Sequence, residues 1–159
     1  MDRRQTTGDR GDGPALGSCS PVVCPRSSVG NYMNQEHTSQ QVPLYKFQKL
    51  EVYKLALEYT VVIYELAKRL PDSERFNLRA QIEAAATSIV LNIAEGSTGQ
   101  TNPEQQRFLS FSIRSFLETV ACLDLIERRG YLSADELDES RVFGQKLFVK
   151  LQAFRSSLG

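Results

Sequence analysis

The sequence predicts an all-α fold, an antiparallel up-down-up-down four-helix bundle preceded by a disordered N-terminal tail. Three observations predict it. Apolar residues recur at spacings of three and four over four separate stretches, no stretch alternates with period two, and each helical stretch has its own start or stop signal. Short connections between such helices make chain neighbours pack antiparallel.

The first helix is expected from Phe47 to Leu70. Leu50, Tyr53, Leu57, Val61 and Tyr64 fall on one stripe, and Val52, Ala56, Tyr59, Ile63 and Leu66 widen it into a broad buried face. Pro71 stops the helix, with Lys68 and Arg69 in the last turn, where positive charge complements the exposed carbonyls. The second helix, residues 75–96, carries Leu78, Ile82, Ala85, Ile89 and Ile93, with Gly96 as its expected terminator. The run Ala84-Ala85-Ala86 lets another helix backbone approach closely. Asn102-Pro103-Glu104-Gln105 opens the third helix with an Asn cap, proline at the first helical position and an acid beside the N-terminal dipole. That helix runs to Arg129 and ends at Gly130. Ser133 to Glu136 is a capping box opening the fourth helix, whose apolar positions include Leu137, Val142, Phe143, Leu147, Leu151 and Phe154. Helices one and three are wider in apolar coverage than a monomeric bundle needs, which predicts burial against other subunits.

Residues 1–42 cluster Gly, Ser, Pro and Thr and hold few large apolar side chains, so they cannot offset the entropy of ordering and are expected to be disordered. Residues 43–159 form the bundle. Two readings of the tail stand side by side, a genuine flexible extension or a start at Met33, where MNQEHTSQQ reads as a natural beginning. Cys19 and Cys24 with His37 lack the second Cys pair that would complete a tetrahedral zinc site. Cys122 reads as a buried small hydrophobe. No metal and no cofactor are expected.

Of the 159 residues 41% are hydrophobic and 24% charged, and nineteen Lys plus Arg balance nineteen Asp plus Glu. No global field therefore favours nucleic acid or anionic lipid, and a charged partner must be met locally. No apolar run approaches the roughly 20 residues that span a bilayer, and the N-terminus develops no secretory core, so a cytoplasmic protein without membrane contact is expected. The sole histidine, His37, lies outside the bundle. Its position excludes inward Glu-x-x-His di-metal sites, Ser-His-Asp triads and Cys-His pairs from the helices. The segment GDGPALG lacks the dinucleotide fingerprint. An enzyme, or a small-molecule substrate, is not expected.

Two sets of residues stand out. Asn92, Glu95, Arg114, Ser115 and Glu118 fall near one another if the end of helix two faces the first half of helix three. A structural polar network is expected there, Arg114 pairing with Glu118 or Glu95, with a ligand pocket as the alternative. The second set is a basic end of the bundle. Lys46, Lys49, Lys54, Arg107, Lys146, Lys150 and Arg155 gather there against Glu51, Glu58, Glu95 and Glu104, a candidate surface for a phosphate backbone. Ordinary solvated charge is the plainer reading.

Particular residues carry a family likeness: Phe47-x-x-Leu50-Glu51-Val52-Tyr53-x-x-Ala56, Gln81-Ile82 with Ala85 and Ser88-Ile89, Asn92-Ile93-Ala94-Glu95-Gly96, and Arg114-Ser115-x-x-Glu118. With these the segment from Phe47 to Leu132 resembles the four-helix-bundle family of 23S rRNA intervening-sequence proteins and diversity-generating retroelement accessory variability proteins. The resemblance implies a non-enzymatic homopentameric barrel. In the retroelement branch it implies an adaptor that binds a reverse transcriptase and its RNA or DNA. Relatives often carry two basic residues after Gln-Ile, where this chain has Glu83 and Ala84, and tend to be basic after Ala-Glu-Gly, where it reads Ser97 to Asn102. The second functional reading is accordingly a self-assembling scaffold of the ribosomal-RNA intervening-sequence type with protein partners only.

Overall fold

The structure, a computed structural model, describes residues 43–99 and 101–159. The expectations for the tail, Met33, Cys19, Cys24 and His37 fall outside them. A 3-10 turn, Lys46–Lys49, leads into α1, Glu51–Ala67, and a second, Asp72–Glu74, precedes α2, Leu78–Gly96. The long α3, Asn102–Arg128, and α4, Ala134–Ser156, complete the chain. The described residues contain no strand.

Each helix packs on its chain neighbours, and α4 closes the ring against α1. Cross-helix pairs fix the directions. Along α2 and α3, Gly96 meets Phe108, Ile89 meets Ser112, Ser88 meets Ser115 and Gln81 meets Glu118, so one index falls as the other rises. The pairs Glu51–Lys150 and Arg69–Glu136 make α1 antiparallel to α4, and Gln106–Arg155 with Asp124–Arg141 make α3 antiparallel to α4. Consecutive helices therefore alternate in direction throughout.

Small residues decide which pair is closest. The α2–α3 interface is the most extensive. In it Ser112 Oγ donates to the Ile89 carbonyl at 3.1 Å, and Ser88 and Ser115 hydroxyls meet at 2.9 Å. At its end, a Cβ on Gly96 would stand 2.7 Å from Cβ of Phe108. Gly96 is thus a helical residue that admits α3, not the terminator expected of it, and the positive φ of 87° in the following loop belongs to Gly99. Across the bundle, Tyr59 of α1 reaches Thr119 of α3 at 2.9 Å, and the Thr119 hydroxyl donates onward to the Phe116 carbonyl at 2.7 Å. Tyr59 and Phe116 lie against Gly144 of α4, where a Cβ would come within 3.0 Å of the Phe116 ring. Burial pushes the Tyr59 phenol up to about 12.

Helix one departs from its expected form at both ends and in its buried face. It stops at Ala67, short of Leu70, so that Lys68 is its C-cap and Arg69 lies beyond it, neither in the last turn as expected. The chain is extended at Leu50 (φ −70°, ψ 130°), so Phe47 belongs to a separate turn, fastened by the Tyr45 N–H to Gln48 Oε1 bond of 2.8 Å and by Phe47 edge-on to Tyr53. The buried stripe is Val52, Leu55, Ala56, Tyr59, Ile63, Leu66 and Ala67, while Leu57, Val61 and Tyr64 are exposed. A helix with apolar residues on two faces can turn only one inward, and the stripe with Ala56 and Ala67 allows the nearer approach of its neighbours.

The stop signal of α3 and the start signal of α4 act as expected, whereas the N-cap of α3 is Thr101 and Asn102, expected as the cap, is already helical, with Pro103 in the first turn. Gly130 (φ 71°) follows α3, with its N–H on Glu127 O at 2.8 Å and the Tyr131 N–H on Ile126 O at 3.1 Å, a Schellman turn. At the start of α4 the Glu136 carboxylate accepts the Ser133 N–H at 2.8 Å and hydroxyl at 2.9 Å, with Arg69 alongside. The Ser133 bonds, then Arg69, hold that carboxyl below its usual range.

Candidate nucleic-acid interface

The antiparallel ring brings the start of α1, the start of α3 and the end of α4 to one end of the molecule. Lys46 and Lys49 lie exposed on the first 3-10 turn, Lys54 on the first turn of α1, Arg107 on the second turn of α3 and Lys150 toward the end of α4, where Arg155 is half-buried. Lys146 sits at mid-length of α4, its ammonium 5.9 Å from the Phe143 ring centroid, and so falls short of that end. Arg107 and Arg155 line one polar depression together with Gln106, Ser110 and Ser156. Lys150 pairs with Glu51 at 3.0 Å beside an apolar groove lined by Leu50, Val52 and Phe154.

Ion pairs are distributed unevenly between the two ends. Six of the seven among the described residues belong to the opposite half: Lys68–Glu65, Arg69–Glu136, Arg79–Glu83, Arg129–Glu74, and Arg141 with both Asp124 and Glu127. Among the described residues the basic half holds one of the seven, Lys150–Glu51. Glu58 and Glu95 are exposed there and pair with none of the described cations. Cations already matched to acids offer a polyanion little, whereas unmatched ones retain their full attraction.

The expected polar network is only partly assembled. Asn92 Nδ2 donates to the Ser88 carbonyl at 2.8 Å and hydroxyl at 3.1 Å, and Ser115 donates to the same Ser88 hydroxyl. Glu118 accepts from Gln81. Arg114 and Glu95 do not join: both are exposed, and the Arg114 guanidinium lies 5.9 Å from the Phe111 ring centroid. The reason is angular. On α3, Ser112 and Ser115 turn toward α2, which leaves Arg114 on the solvent side.

A buried network does exist, at the far end, on residues the sequence reading passed over. Glu74 is 4% exposed and accepts from the Tyr131 hydroxyl at 2.6 Å, Asn77 Nδ2 at 2.8 Å, the Leu78 N–H at 3.3 Å and Arg129 at 3.4 Å. The Tyr131 bond foremost, then the Leu78 N–H, Asn77 and the Arg129 charge, hold its carboxyl below the usual range against the opposing effect of burial. The hint available was an acid three residues before an Asn at a helix start, with the tyrosine directly after the helix-ending glycine. Among the described residues no group of three or more His, Cys, Asp and Glu is placed to hold a metal ion, and no helix is long and apolar enough to cross a membrane.

The model of the 23S rRNA-intervening sequence protein family matches residues 48–152, from the first turn to the last part of α4. The chain belongs to that family. A crystal structure of a protein of unknown function from the S23 ribosomal protein family of Bacteroides thetaiotaomicron is similar to it, with a TM-score of 0.61 at 25% identity over 65% of this chain and 97% of that one. No curated protein matches. The span of the intervening-sequence family takes in Lys49, Lys54, Arg107, Arg114, Lys146 and Lys150, and leaves Lys46 and Arg155 just outside.

Proposed function

We propose that this protein is a non-catalytic, self-assembling adaptor of the cytoplasm that engages RNA or DNA through its basic end and a protein partner elsewhere, the partner in a retroelement setting being a reverse transcriptase. The unequal ion pairing carries the reading: a chain of zero net charge concentrates its unmatched cations in one half. Self-assembly is supported by exposed apolar side chains on every helix, Leu57 and Val61 on α1, Leu91 on α2, Leu117 and Leu125 on α3, and Val142 and Val149 on α4. Five subunits in a barrel is the number the family resemblance suggests, and light scattering at micromolar concentration tests it, a stable monomer refuting it.

The experiment for function is RNA binding and reverse-transcriptase pull-down at two salt concentrations. Neutralised phosphates release counterions, so affinity falls steeply with ionic strength. Changing Lys46, Lys49, Lys150 and Arg155 to Glu together should abolish RNA binding. Absence of RNA binding at low salt, with or without a reverse transcriptase, refutes the adaptor and leaves the protein-only scaffold, which the balanced net charge favours.

A further inference from the structure

The arginine displaced from the expected network has acquired another neighbour. On α3, Arg107, Phe111 and Arg114 follow one another at intervals of four and three, and both guanidinium carbons sit on the same ring, 5.5 Å and 5.9 Å from its centroid. Neither arginine has an acid partner among the described residues. Glu118, one turn beyond Arg114, is engaged by Gln81. From α4 a third arginine joins: Arg155 lines the same depression as Arg107, and its backbone carbonyl accepts Gln106 Nε2 at 3.3 Å, which ties the end of α4 to α3 beside it. We propose that this outer face of α3 is a track for a single-stranded phosphodiester chain, Arg107 and Arg155 seating one phosphate and Arg114 another about 10 Å further along at 1.5 Å per residue.

The chemistry favours a nucleic acid over an acidic peptide for two reasons. Guanidinium groups bind phosphate through paired N–H donors, and arginines held against a ring lose less freedom on binding than the lysines of the neighbouring 3-10 turn. An aromatic ring flanked by guanidinium planes also suits unpaired bases, which stack on both kinds of surface and need no fixed sequence. The inference rests on the nucleic-acid reading above and narrows it from an end of the bundle to a face of one helix. It recruits Arg114 and Phe111, which were no part of the basic end.

The test is fluorescence anisotropy with a labelled 20-nucleotide single-stranded RNA, and the same DNA sequence, across a salt series. The proteins are the full chain and its Arg107→Gln, Arg114→Gln, Arg155→Gln and triple variants, with Lys46→Gln/Lys49→Gln as comparison. Arg114→Gln should flatten the slope of log affinity against log salt by about 0.7, Arg107→Gln and Arg155→Gln should share a similar loss because they seat one phosphate, and the triple change should flatten it by about 1.4, with thermal stability unaltered. If the wild type binds and the triple variant keeps its slope while the lysine pair flattens it, the track is wrong and the adaptor reading survives. If polyglutamate competes as well as the nucleic acid at equal charge, the face is an acidic-peptide site and the proposal is overturned. If the wild type binds neither strand at low salt, track and adaptor fall together.

Discussion

Replacing Gly96 by alanine sets two opposing effects against each other, and the geometry decides between them. Alanine is favoured over glycine inside a helix by about 1 kcal/mol, but Gly96 is the last residue of α2, where little of that gain is realised. Against it stands the new methyl, which would lie 2.7 Å from Cβ and 3.4 Å from Cγ of Phe108. Carbon atoms rest at about 3.5 to 4 Å, so the helices must separate locally by close to 1 Å. A Cβ cannot swing aside as the end of a long side chain can. Overpacking of this kind costs about 1 to 3 kcal/mol, and the net destabilisation should be about 2 kcal/mol, a fall in Tm of about 10 °C for a domain near this size. Thermal melts followed by circular dichroism measure it. Phe108→Ala keeps the obstructing Cβ and should give no relief in the double variant, whereas Phe108→Gly should recover part of the loss. A Gly96→Ala protein as stable as the wild type would refute the close approach of α2 and α3.

Two further outcomes follow from the buried polar groups. Because the folded Glu74 carboxyl is held below its ordinary value of 4.5, its stabilising contribution is complete above that pH and is lost as the pH falls through the depressed folded value. Tm measured from pH 7 to pH 3 should therefore drop more steeply for the wild type than for Glu74→Gln, and equal profiles would mean the carboxylate is solvated. Tyr59→Phe removes the hydroxyl that meets Thr119 but leaves Thr119 donating to the Phe116 carbonyl, so denaturant titration should find a loss of about 1 kcal/mol. A loss above about 3 kcal/mol would imply that the hydroxyl supports more than this one bond.

What could be read in the chain was local. Pro103, Gly130 and the Ser133–Glu136 pair act within a turn of where they stand, so their effects on α3 and α4 need no knowledge of the rest of the fold. The inward face of α1 is a different matter. Its two apolar stripes are equally regular in sequence, and the choice between them is made by neighbours that arrive from α2 and α4. Arg114 was misread for a related cause, since residues one position apart on a helix point about 100° apart and a shared segment is not a shared face. Glu74 was illegible because an acid in Pro-Asp-Ser-Glu looks solvated until Tyr131, 57 residues later, folds back over it.

That fold-back has a mechanical consequence. By turning sharply at Gly130, the chain delivers Tyr131 and Arg129 from the α3–α4 connection onto Glu74 in the α1–α2 connection, so two of the three loops are riveted together at one end. The third loop, between α2 and α3, stands at the other end beside the unmatched cations. The bundle is thus fastened by a buried carboxylate at that end and by the exposed Glu51–Lys150 pair and the Gln106–Arg155 bond at the other. Amide exchange should be slowest near the buried fastening and faster toward the exposed one, beside the unmatched cations.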